Sequence, residues 1–103
     1  LISDAGMPVV SDPGFQLVKA CREADISVSP VPGPSAPLAA LAASGLAPLP
    51  FVFLGFAPRG KGDIRKVFAP FASLSATLIF FERKDRLATT LETLYPVLGE
   101  RKG

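Results

Sequence analysis

Histidine is absent from the 103 residues, which removes the commonest general base and metal ligand. Cysteine occurs once, at Cys21, so neither an intrachain disulfide nor a cysteine-based zinc site can form. Cys21 falls on an expected helix and reads as a small core residue rather than a reactive thiol. One free cysteine also fits a reducing, cytoplasmic setting. No apolar run approaches the ~18 residues of a membrane span, so no membrane partner is expected. Charge is sparse as well: 19% of residues are charged and the net charge is +2, too small to demand a nucleic-acid partner by itself.

What is present is apolar and punctuated by turns. Apolar residues make up 49% of the chain, far from the composition of a disordered segment. Two loops of small residues stand out: Ser3-Asp4-Ala5-Gly6-Met7-Pro8-Val9-Val10-Ser11-Asp12-Pro13-Gly14 and Pro32-Gly33-Pro34-Ser35-Ala36. Each leaves a short apolar strand and leads into a helix, and small residues let a backbone approach a ligand closely. Only Leu1 and Ile2 precede the first loop, so the sequence is expected to be a piece of a longer chain.

Residues 1–3 read as the end of a buried strand. Asp12 resembles an N-cap with Pro13 at the first helical position, and Leu17, Val18, Cys21 and Ala24 share one helical face. Ile26, Val28 and Val31 predict a short alternating strand. Pro34 or Ser35 opens a second helix through Ser44, closed by Gly45. Residues 46–50, with two prolines in five, read as a linker. Beyond it, Phe51–Ala57 is an apolar strand, about Asp63–Ser73 a helix that Pro70 kinks or ends, and Ala76–Glu82 a second strand. Leu87, Leu91, Leu94 and Tyr95 mark a last helix ending near Pro96 or Gly99. Strands alternating with helices predict an α/β fold with a parallel sheet.

The first loop, then Pro32-Gly33-Pro34-Ser35-Ala36, then Phe53-Leu54-Gly55-Phe56-Ala57-Pro58-Arg59 occur in an order that resembles one family. It is similar to the ribosomal RNA small subunit methyltransferase I group, 2′-O-ribose cytidine methyltransferases of the tetrapyrrole-methylase fold. The resemblance runs over nearly the whole sequence and covers the middle of the family protein, without its first strand and loop or the close of its second domain. It implies a two-domain α/β architecture. Residues 1–45 would end the first, cofactor-binding domain, 46–50 would link, and 51–103 would begin the second. It further implies S-adenosylmethionine in the interdomain cleft, small-subunit ribosomal RNA as partner, and a homodimer. Asp4, Ala5 and Gly6, with Val9 and Ser11, would form one cofactor loop and Ser35 and Ala36 the other. Phe81 and Glu82 would approach from the second domain. Met7 stands where the family has threonine, and Arg83-Lys84-Asp85-Arg86 replaces a segment usually read Ser-Pro-His-Arg.

The bland readings stand beside these. Asp4 can take a ribose hydroxyl or an ammonium, or simply cap a turn, and Asp12 is better explained as a helix start. Ser35 can bond the cofactor, cap its helix, or do both. Gly6, Gly33 and Gly55 serve tight turns or close approach. Residues 59–66 hold four of the eleven basic residues and one acid. Arg59, Lys61, Arg65 and Lys66 can hold RNA phosphates or be a solvated loop and helix start. A sulfonium methyl donor is already strongly electrophilic, so no metal is expected, and positioning can supply most of the acceleration. No residue in the sequence identifies itself as the catalytic base. Two other functions fit the residues less well: a tetrapyrrole C-methyltransferase of the same fold, or a non-catalytic RNA- or nucleotide-binding module. Missing edge strands would expose backbone and apolar faces, so the isolated 103 residues are expected to dimerise, swap segments or bind cofactor poorly.

Overall fold

A computed structural model describes residues 14–101. The order is α1 (Phe15–Glu23), α2 (Ala36–Ser44), β1 (Phe51–Phe56), α3 (Lys61–Phe68), β2 (Thr77–Phe81) and α4 (Leu87–Leu98). Single 3-10 turns precede β2 (Ala69–Phe71) and α4 (Lys84–Arg86). β1 and β2 run parallel, which requires the crossover that α3 provides. The fold is α/β, as the alternation of elements predicts.

Helix boundaries follow local chemistry. Ser35 caps α2, its side chain accepting from the Leu38 N–H at 3.5 Å, and Gly45 ends the helix at φ 74. That left-handed conformation costs glycine nothing. α3 starts two residues earlier than expected and ends at Phe68, where Pro70 lacks the N–H that a further α-helical turn needs. α4 runs through Pro96 to Leu98, with Gly99 as its C-cap.

Two expectations fail in the first third. α1 begins at Phe15 with Gly14 as its N-cap, so the cap does not fall on Asp12. The strand expected through Ile26, Val28 and Val31 does not form, and these residues are exposed. A strand needs a neighbour to receive its backbone hydrogen bonds. Among the described residues β1 and β2 are paired with each other, and neither pairs with this segment.

The core lies between the βαβ sheet and its helices. Ile64 and Phe68, one turn apart on α3, meet Leu94 of α4, and Leu54, Leu78 and Phe80 pack onto them from the sheet. Phe68 is fully buried and its ring meets Phe80 edge-on at 5.2 Å. On α4 the inward stripe is Thr90, Thr93 and Leu94, while Leu87, Leu91 and Tyr95 are exposed. The leucine periodicity therefore located the helix correctly but marked mostly its outer side.

The two strands are in register at Phe51–Thr77, Val52–Leu78 and Phe53–Ile79, then shift so that Phe56 pairs with Phe81. The extra residue is accommodated at Gly55, φ 70. Simple alternation would send Phe56 to the same side as Leu54, into the core. The bulge instead turns it toward Phe81, ring centroids 5.2 Å apart, with Phe53 at 5.0 Å from the same ring. Gly55→Ala should cost about 1–2 kcal/mol through the left-handed backbone alone. Denaturant unfolding of the complete protein tests this, and an unchanged midpoint would contradict it.

The amino ends of the strands are tied separately. Thr77 donates its N–H to the Pro50 carbonyl at 3.1 Å and its hydroxyl to Ala47 at 2.6 Å. Arg101 donates to the Leu74 carbonyl at 2.8 Å.

Candidate functional site

Ligands of open α/β sheets bind beyond the carboxyl ends of the strands, where loops leave and helices begin. Here that edge comprises Ala57–Gly60 after β1 and Glu82–Arg86 after β2. An open groove of about 750 Å³ lies at the opposite end, between Leu46–Pro50, the start of β2 and the last turns of α4. Its lining is mostly apolar and contains one cation, Arg101, which already holds a backbone carbonyl. Polar and charged groups converge at the carboxyl edge instead, and the candidate site is placed there.

The edge is held by specific bonds. The Ala57 N–H donates to the Phe81 carbonyl at 2.9 Å, continuing the ladder one step past β1. Glu82 accepts from the Thr90 hydroxyl at 2.6 Å and from the Arg83 N–H at 2.7 Å. Its side chain is only 3% exposed, with the Arg86 guanidinium 3.9 Å away. The Thr90 hydroxyl foremost, then the Arg83 N–H, and the charges of Arg86 and Arg83 hold the Glu82 carboxyl below the usual carboxylate range, against the opposing effect of burial. A carboxylate so held is a weak proton acceptor and a well-anchored structural ion.

Stability should respond to pH accordingly. Because the folded-state pKa is depressed, the contribution of Glu82 is complete above the unfolded value of about 4.3 and fades as pH falls through the lower folded value. The stability gap between the wild type and Glu82→Gln should therefore narrow on acidification below about pH 4. Denaturant midpoints measured across that range check it, and a gap that widens with acid would refute it.

The expected RNA-contacting residues separate in space. Arg59 and Lys61 lie at the carboxyl edge, whereas Arg65 and Lys66 sit on later turns of α3, roughly 6–7.5 Å further along its axis. All four are exposed. The fold adds Lys84, exposed in the turn after β2, and Arg83, whose ion pair with Asp85 at 3.3 Å is largely solvated. Among the described residues Arg59, Lys61 and Lys84 make no ion pair. Arg83, Lys84 and Arg86 had a visible signal, a basic stretch directly after a strand. Spacing alone did not join it to a loop more than twenty residues earlier.

Phe81 meets the end of β1, through the Phe56 ring and the Ala57 N–H, whereas Glu82 holds Thr90 and the Arg83 N–H and faces the Arg86 guanidinium. Ser35 and Ala36 have no hydrogen bond to either. α2 approaches β2 instead through Ala40, Leu41 and Ser44, which line a small cavity of about 210 Å³ with Thr77–Phe80. Asp4, Ala5, Gly6, Val9 and Ser11 lie outside the described residues. Among the described residues no cluster of three or more histidine, cysteine, aspartate or glutamate side chains could hold a metal ion, and no helix is long and apolar enough to cross a membrane.

A parallel βαβ unit with exposed cations at its carboxyl edge defines an α/β protein. Its membership follows from comparison with known proteins: the chain belongs to the Tetrapyrrole (Corrin/Porphyrin) Methylases, whose family model matches residues 1–101. More particularly, it is similar to proteins named Ribosomal RNA small subunit methyltransferase I. The one from Mesorhizobium japonicum is 52% identical over 103 residues, covering 99% of this chain and 35% of the relative. That from Haemophilus influenzae is 48% identical over 102 residues, covering 99% and 36%. The Thermotoga maritima protein is 43% identical over 102 residues, covering 99% and 46%. The chain thus spans between about a third and just under half the length of these relatives.

Proposed function

We propose that this chain is the central part of an S-adenosylmethionine-dependent methyltransferase acting on a cytidine ribose 2′-hydroxyl of small-subunit ribosomal RNA. The observation that carries this reading is identity of 43–52% across 99% of the chain to relatives of that name. The exposed cations Arg59, Lys61 and Lys84 support it, since phosphate binding needs charge that is not already neutralised. In this reading residues 1–45 close the cofactor domain, 46–50 link, and 51–103 open the second domain, with a homodimer as the working assembly in the cytoplasm.

Among the described residues Ser35 fits the cofactor. Its oxygen accepts the long bond from Leu38, which leaves its O–H proton free to donate. Glu82 fits less well, because both carboxylate oxygens already accept short bonds. Asp4, Ala5, Gly6, Val9, Ser11 and Ala36 complete the proposed cofactor loops, and Phe81 walls the second-domain side. S-adenosylmethionine supplies a methyl group on an electrophilic sulfonium. The protein's own part is to hold the ribose hydroxyl in line with it, and Arg59 and Lys61, with Arg65 and Lys66 further along α3, would anchor the neighbouring phosphates.

The complete protein, given small-subunit rRNA and S-adenosylmethionine, is expected to make one phosphodiester resistant to alkaline cleavage, because a 2′-O-methyl group removes the attacking hydroxyl. The family's description favours a tetrapyrrole as the second candidate acceptor. Methyl transfer to a tetrapyrrole but not to rRNA would select that reading. RNA binding independent of cofactor, with no transfer, would leave a binding module.

A further inference from the structure

Arg86 reaches both loops of the carboxyl edge. Its Nη2 donates to the Arg59 carbonyl at 2.7 Å and to the Pro58 carbonyl at 3.2 Å, across 27 and 28 residues of sequence. Its Nη1 lies 3.9 Å from Glu82 Oε1, and its side chain is 26% exposed. Glu82 is itself immobilised by Thr90 of α4 and the Arg83 N–H. The order of constraint therefore runs from α4 to Glu82, from Glu82 to the guanidinium, and from the guanidinium to two consecutive carbonyls of the basic loop.

That loop has few other ties. Pro58 has no N–H to donate, and among the described residues no other side chain bonds the carbonyl of Pro58 or Arg59. The Ala57 N–H joins the strand ladder before the loop, and the Gly60 carbonyl accepts from Ile64 within α3 after it. Arg86 is the tertiary bond between those two points. Arg59 sits on one of the carbonyls it holds, and Lys61 follows two residues later.

We propose that Arg86 is a positioning residue: it clamps Pro58 and Arg59 to the end of β2 so that Arg59 and Lys61 are presented to RNA in one fixed geometry. This rests on the rRNA reading above and names how its substrate loop is held. The guanidinium suits the task because its planar fork aims separate N–H groups at the carbonyls and at the carboxylate. A lysine ammonium is a single point with one set of three donors and cannot span the same acceptors.

The test uses the complete protein with Arg86→Met and Arg86→Lys. Backbone N–H order parameters at Arg59, Gly60 and Lys61 are expected to fall from the rigid value of ~0.85 to about 0.6 or below in Arg86→Met, as charge-assisted bonds to the loop carbonyls are removed. Amide hydrogen exchange at Ile64–Phe68, whose N–H groups are bonded within α3, should stay unchanged. The KM for rRNA should rise about tenfold while the affinity for S-adenosylhomocysteine changes less than about twofold, and Arg86→Lys should fall between Met and wild type. Unchanged loop order parameters in both variants would overturn the clamp. Equal losses of RNA and cofactor affinity, with exchange rising throughout α3 and α4, would show a merely structural role and overturn it too. If the wild type transfers no methyl group to rRNA, the functional reading fails, and the loop order parameters alone then decide whether Arg86 holds the loop.

Discussion

Phe68→Ala should remove about 3–5 kcal/mol of stability, the range for truncating a buried phenylalanine. The ring is wholly buried, stands edge-on to Phe80, and belongs to the same cluster as Ile64 and Leu94. Its backbone cannot easily slide to fill the void, because α3 ends there and a 3-10 turn through Pro70 begins at the next residue. Ile64 and Leu94 would be left facing a cavity rather than a partner. Denaturant unfolding of the complete protein measures the loss. A change below about 1 kcal/mol would mean that neighbouring side chains collapse into the space, and that the packing of α3 on the sheet is not the centre of the core.

Reversing two charges at the opposite end should leave stability nearly untouched and damage RNA binding. Arg59 and Lys61 are exposed and, among the described residues, unpaired, so Arg59→Glu with Lys61→Glu breaks no bond of the fold. Each phosphate left without its cation lowers the slope of log affinity against log salt by about 0.7–0.9, and reversal adds repulsion. At physiological salt the affinity for small-subunit rRNA is expected to fall about 10–100-fold, with binding of S-adenosylhomocysteine unchanged. A filter-binding titration at several salt concentrations gives both the affinity and the slope. An unaltered salt slope would place the RNA elsewhere. The same reversal at Arg65 and Lys66 should matter less, because α3 carries them away from the strand ends.

Much of this was legible in the residues, and the failures are instructive. Ser35 and Gly45 bracket α2 because a hydroxyl cap and a left-handed glycine are local devices that act within a few residues. Pro70 ended α3 for an equally local reason. Ile26, Val28 and Val31 carry a strand pattern yet form no strand, because pairing is a property of two segments and no described strand pairs with them. On α4 the leucines announced a helix but pointed mostly outward, while two threonines took the buried face. One of them, Thr90, is there to bond Glu82. No periodicity of apolar residues would reveal that.

The sequence by itself determined the α/β alternation, the family, and the basic loop after β1, since each depends on residue type and short-range spacing. Tertiary structure alone decided what those residues do together. It placed the turn after β2 against the loop after β1, and it let a bulge at Gly55 turn Phe56 toward Phe81. It also committed Glu82 to Thr90 and Arg83, and Arg86 to the carbonyls of Pro58 and Arg59. The physical reason is that parallel pairing brings together the ends of strands separated by a whole helix. The groups that meet there are neighbours in space and strangers in sequence.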